Sequence, residues 1–250
     1  MKAHARIVAC SQGGVTRIGV LRSQAPIVLR DTPDAVYLVG GAAGPIGGDD
    51  LSLHIEVHLG AELTVRSAAA SVALPGPRGE LSRFAIRAAV AAGGMLRWLP
   101  EPSVAAFGCR HVVEVGISVA GGGRVVWRDE VVLGREGEAP GAWESRLDVE
   151  VDGAPLLRHR LRLGEGDDWN GPAVVAGARC IGSMLLVNEP LTPFAEPGCA
   201  VLDLSGPGVL VTALARDPLG LRNSLDRAGV KPASTPALPA LRGRGCPHRS

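Results

Sequence analysis

From Leu51 to Leu59 the chain alternates strictly, apolar at odd positions and polar at even ones, until Gly60 ends the run. A period of two is the signature of a half-buried strand, because successive side chains leave a strand on opposite faces. The same rhythm recurs along most of the sequence. Val112 to Val119 and Arg124 to Leu133 flank Ala120-Gly121-Gly122-Gly123, which predicts a hairpin with a flexible turn. Leu147, Val149 and Val151 alternate with polar and acidic residues up to Asp152-Gly153, a two-residue hairpin signal. The return run, Leu156 to Leu163, puts Arg158, Arg160 and Arg162 on one face and His159, Leu161 and Leu163 on the other. Val201 to Leu204 and Val209 to Leu214 predict another hairpin around Ser205-Gly206-Pro207-Gly208.

Helical patterns are few. Residues 218–228 form the best one, with Pro218 near the start and Leu219, Arg222 and Leu225 at helical spacing. Residues 172–186 are ambiguous: alanine favours a helix there, while Gly177 and Gly182 weaken it. From Gly229 onward the chain is rich in Pro, Gly and Arg and reads as a disordered tail. The pattern therefore predicts an all-β fold with minor α content, one β-rich domain over 1–228 and a tail over 229–250.

Composition narrows the possible partners. Apolar residues make up 46%, enough for a sizeable core, but aromatics are only 3%, leaving little for base stacking. A formal charge of +1 gives no general pull toward nucleic acid or an anionic membrane. No stretch approaches the roughly 20 apolar residues of a membrane helix. The first residues enter an alternating pattern with no signal-peptide core. The five cysteines (Cys10, Cys109, Cys180, Cys199 and Cys246) are odd in number and scattered, as suits a reducing compartment. A cytoplasmic protein without nucleic-acid or membrane partners is the expectation.

Tests for catalytic chemistry give little. In His54-Ile55-Glu56-Val57-His58 the glutamate is misplaced for a zinc-protease helix. On a strand, residues four apart stand about 13 Å apart, so these histidines cannot close on one ion from this strand alone. A solvated strand face is the simpler reading. No serine sits in a nucleophile elbow, and Gly40-Gly41-Ala42-Ala43-Gly44 lacks the lysine of a phosphate loop. Cys109, two residues before His111, reads as a buried structural cysteine. Glu165-Gly166-Asp167-Asp168 reads as a solvated acidic turn. The carboxylates near glycine turns, Asp49 with Asp50 and Asp129 with Glu130, are hard oxygen donors suited to holding a divalent ion weakly.

Four stretches resemble the UreD/UreH family of urease accessory proteins, in order and in register. They are Gly47-Gly48-Asp49 leading into the Leu51–Val57 alternation and Gly60-Ala61; Trp98-Leu99-Pro100-Glu101-Pro102; Asp129 through Gly134-Arg135 to Gly137-Glu138; and Val151-Asp152-Gly153-Ala154-Pro155-Leu156. Arg66-Ser67-Ala68-Ala69-Ala70-Ser71 departs from the family's run of threonines and glutamine, keeping hydroxyls at Ser67 and Ser71. The resemblance implies an elongated, two-layer, β-helical-like fold of many short strands with about two helices. It implies a non-enzymatic chaperone that acts with UreF and UreG on apo-urease. No cofactor is tightly bound in that picture, and Ni(II) passes through an internal tunnel. Carried over, Asp49 and Asp129 guide the ion, Glu130 is an adjacent candidate, and Arg135 pairs with a carboxylate to hold structure. Two other readings remain open here: a metal-dependent hydrolase using Asp49, Asp129 and His54, and a scaffolding or carbohydrate-binding β-domain.

Overall fold

The computed structural model describes residues 1–164 and 169–228. The acidic turn at 165–168 and the tail reading for 229–250 fall outside the described residues.

The chain begins with two hairpins, β1 (Lys2–Gln12) with β2 (Val15–Arg22) and β3 (Ile27–Asp31) with β4 (Val36–Gly40). It then winds in stacked coils. The first coil is β5 (Asp50–Val57), β6 (Glu62–Ser67) and β7 (Ser71–Ala73); the second is β8 (Ser82–Val90), β9 (Met95–Leu99) and β10 (Ser103–Ala105). The third is β11 (Arg110–Val119) and the long β12 (Arg124–Leu133), which pairs with both β9 and β10. A hairpin of β13 (Ala142–Val151) and β14 (Ala154–Leu163) follows. Next come β15 (Cys180–Val187), β16 (Phe194–Glu196), β17 (Cys199–Asp203), β18 (Gly208–Ala215) and one helix, α1 (Pro218–Arg227).

These strands form two sheets. The seven-stranded sheet runs β14-β13-β11-β8-β5-β1-β2, and the eleven-stranded sheet runs β16-β17-β18-β15-β12-β9-β6-β4-β3 with β7 and β10 attached beside β12. Coils stack in register, so like positions form ladders. Leu53, Ile86, Val115 and Leu147 make one, and Ile55, Ala88, Ile117 and Val149 the next. Both ladders are buried against inward residues of the other sheet, including Val65, Trp98 and Trp127. Each burial of an Ile or Leu side chain contributes about 1.5–3 kcal/mol, and alternation delivers one every second residue. The other face of the seven-stranded sheet carries charge. There Glu114 accepts from Arg83 and Arg146, while Glu144 accepts from Arg160 and Arg162 on β14.

The β-rich, two-layer architecture matches the expectation, with two corrections and one open reading resolved. The resemblance implied about two helices; the described residues contain one, capped by Asp217, whose side chain accepts from the Gly220 N–H at 2.8 Å. Residues 172–186 resolve into turns followed by β15. Gly182 there lets α1 pack close to β15, since a Cβ would stand 2.9 Å from the Leu225 side chain and 3.2 Å from that of Leu221. The second correction concerns Ala120-Gly121-Gly122-Gly123. It joins β11 and β12, which lie in different sheets, so this turn is a coil corner and not a hairpin. The hairpins at Asp152-Gly153 and at Ser205 to Gly208 form as expected.

Candidate functional site

A cavity of about 1070 Å³ lies between the sheets, at the end marked by Leu51, Phe84 and Val113 on one wall and Asp129 on the other. Its lining reaches from Ile27 and Leu38 near the β3 edge of the eleven-stranded sheet to Cys199 and Ala200 near the β16 edge. Exposed residues line it at both margins: Ala42, Ala43 and Ala68 to Ala70 at one, Val174, Glu196 and Gly198 at the other.

The wall on the eleven-stranded sheet is polar at one level. Strand alternation points Val125, Trp127, Asp129 and Val131 inward. Register then sets Asp129 beside Ser183, and Ser183 beside Thr212, and all three line the cavity together with Ser67. Trp127 stacks on Trp98, with ring centroids 4.7 Å apart and planes 8° from parallel, and its Nε1–H donates to Asp129 Oδ2 at 3.0 Å. Burial pushes the Asp129 carboxyl up to about 6. The Trp127 hydrogen bond works against that rise, and the neighbouring Glu130 charge adds to it.

The opposite wall carries a residue that sequence reasoning passed over. His111 is buried, lines the cavity, and shares a 2.8 Å hydrogen bond between its Nδ1 and Ser82 Oγ. Its ring lies against Trp143, with centroids 4.9 Å apart. Burial pulls its pKa down to about 4, although the Asp49 carboxylate favours the charged form, so the imidazole is neutral at physiological pH. The signal was present in the sequence: His111 occupies the inward parity shared by Val113, Val115 and Ile117.

Asp49 sits one position before β5 and beside Ser82 in the sheet, buried, with its backbone carbonyl accepting from the Arg83 N–H. Its carboxylate takes the Met1 amino group and the Ile46 N–H, the latter at 2.9 Å. The preceding turn is closely packed: a Cβ on Gly47 would fall 2.4 Å from the Glu80 carbonyl oxygen and the Gly76 nitrogen. That contact explains the glycine at this point of the motif.

Glu130 also lines the cavity, but its carboxylate is engaged by two arginines. Its carboxylate accepts from Arg222 of α1 at 2.7 Å and lies 3.3 Å from Arg128 Nε. Arg222 also reaches Glu101 at 3.1 Å, and Arg128 donates to the Pro100 carbonyl at 3.1 Å. The tryptophan-leucine-proline element is thus structural at three points, with Trp98 stacked, Pro100 accepting and Glu101 paired. Arg135 chelates Glu138 with two bonds of 2.7 and 2.9 Å, holding that carboxyl down at about 2. Cys109 is buried and its thiol is pushed up to about 11, as an inert core cysteine would be.

The three ligands of the hydrolase reading are not gathered. His54 is exposed on the outer face of β5, whereas Asp49 is buried at the start of that strand and Asp129 belongs to the other sheet. Among the described residues no three His, Cys, Asp or Glu side chains are grouped to hold a metal, and no helix is long and apolar enough to cross a membrane.

Comparison with known proteins adds the family. The model of the UreD urease accessory protein family matches residues 1–230. A urease accessory protein UreD from Parafrankia sp. (strain EAN1pec) is 45% identical over 250 aligned residues, covering 87% of this chain and 84% of that protein. The urease accessory protein UreD of Streptomyces avermitilis is 41% identical, covering 91% of this chain and 96% of its own length. A third, from Streptomyces coelicolor, is 39% identical over 91% of this chain.

Proposed function

Because this chain belongs to the UreD urease accessory protein family, we propose that it serves urease assembly by conducting Ni(II) between its two sheets. In this reading it works in a cytoplasmic complex with UreF and UreG and delivers the ion to apo-urease. It turns nothing over itself, and nickel is its cargo.

The observation that carries the reading is the inter-sheet cavity, with exposed margins toward opposite edges of the larger sheet and a polar row across its middle. A passage must lower the cost of moving a doubly charged ion through a protein interior without trapping it. Asp129 supplies the one carboxylate of the row beside the hydroxyls of Ser183 and Thr212, hard donors that exchange readily. His111 presents a neutral imidazole from the facing wall, a donor that suits Ni(II) and needs no proton removed at neutral pH. Asp49 acts through its neighbours: it fixes the turn before β5 and lies close enough for its charge to act on His111. Glu130 holds α1 to the sheet through Arg222 and is assigned no part in carrying the ion.

The partner part of the reading is tested by a tagged pull-down from cells expressing the urease operon. Co-purification of UreF, UreG and urease subunits is the expected result. Recovery of the chain without any of them would overturn it.

A further inference from the structure

We propose that Cys10 and His58 form a second metal site, a two-ligand seat for a borderline-soft divalent cation such as Ni(II), Co(II) or Zn(II). It lies on the outer face of the seven-stranded sheet. It is independent of the cavity and stands whether or not the cavity carries nickel.

The two residues are 48 positions apart, yet the fold makes them neighbours. β1 and β5 run parallel with Val8 opposite Glu56 and Ala9 opposite Val57, and the His58 N–H continues the ladder to the Ala9 carbonyl at 2.9 Å. Cys10 and His58 therefore stand side by side. Both point outward, because Ile7, Ala9, Ile55 and Val57 of the intervening parity fill the core. Cys10 Sγ lies 3.3 Å from His58 Nδ1.

That separation fits a shared ion. With metal–sulfur and metal–nitrogen bonds of about 2.3 and 2.05 Å, two ligands stand about 3.6 Å apart at a tetrahedral angle and about 3.1 Å apart at a right angle. The observed 3.3 Å falls between them. A metal-bound imidazole usually turns its other nitrogen toward a carboxylate. Here Glu56 Oε2 is 3.8 Å from His58 Nε2, and Arg6 steadies the same carboxylate with a 2.8 Å bond to Oε1. On β2 the neighbours of Cys10 are Arg17, directly opposite in register, and Gly19. A Cβ on Gly19 of β2 would come within 3.4 Å of Cys10 Sγ, and toward β8 the neighbours of Glu56 and His58 are Ala89 and Ala91. On binding, the ion replaces the thiol proton, which passes to solvent, and the imidazole donates its Nδ1 lone pair. With two protein ligands, the other positions fall to water or to groups of an arriving molecule, so the ion is held weakly and exchanges.

Cobalt(II) is the probe. The full chain is titrated without oxygen in a phosphine reductant, and the thiolate-to-cobalt charge-transfer absorption is followed. The expected result is a band that rises hyperbolically with excess cobalt to a plateau of one ion per chain, abolished by Cys10→Ser and shifted at least tenfold to weaker binding by His58→Gln. Cys246→Ser, outside the described residues, keeps the band, and so does Asp129→Asn, which separates this site from the cavity. Absence of the band in the unaltered chain, its persistence in Cys10→Ser, or unchanged affinity in His58→Gln would each overturn the proposal.

Discussion

Trp127 donates its indole N–H to the carboxylate of Asp129, two residues further along the same strand, at 3.0 Å. Both side chains point into the space between the sheets, so the bond is what partly offsets burial of that carboxylate. Replacing Trp127 by Phe removes the donor and keeps most of the ring. The Asp129 pKa then rises above about 6, which an NMR titration of the carboxyl carbon reads directly.

Asp129→Asn makes the isolated chain more stable at neutral pH. An Asp carboxyl ionises at 3.8 in its ordinary state and at about 6 here, so the native state holds the extra proton between those values. Stability therefore falls as pH rises through that window, and above it the full cost remains. Asn cannot ionise and still accepts from Trp127. The gain at pH 7.5 is of the order of 2 kcal/mol by thermal or urea unfolding, and it shrinks toward pH 4.

His111 works in the opposite direction. Its ordinary pKa of 6.5 drops to about 4 in the fold, so between those values the unfolded chain binds the extra proton. The stability this neutral histidine allows is intact above pH 6.5 and is lost as pH falls toward 4. His111→Gln keeps a hydrogen-bonding partner for Ser82 and flattens that acid loss, seen as a smaller drop in urea midpoint between pH 6.5 and 4.

The latch beneath α1 is structural. Removing the charge in Glu130→Gln leaves Arg128 and Arg222 short of their buried partner, and the cost is roughly 3–5 kcal/mol. Glu101→Gln, at the exposed end of the same network, costs under about 1 kcal/mol. Urea unfolding of the two variants side by side checks the difference.

Local pattern made strands legible where one face is buried and the other is not, as Leu51 to Val57 shows residue by residue. It also placed Asp152-Gly153 and α1, whose signals are contained in a few adjacent residues. It misread Ala120 to Gly123 because a hairpin and a coil corner use the same glycine-rich turn. What distinguishes them is that β11 pairs with β8 and β13, strands far from the turn itself. The site follows the same rule. Asp129 was legible through a family motif, whereas Ser183 and Thr212 join it only by register between separate strands. His111 was visible as an inward-parity residue, but nothing local showed that a cavity lies before it. Cys10 and His58 meet only because β1 returns parallel to β5.

The passage itself is tested most directly by the nickel content of urease. Asp129→Asn is expressed with the rest of the operon under limiting nickel, and metal per urease active site is measured alongside recovery of the accessory complex. Nickel passage past Asp129 predicts a complex recovered in normal yield, an accessory chain at least as stable as the original, and urease nickel reduced several-fold. Full nickel loading by the Asp129→Asn chain would contradict it.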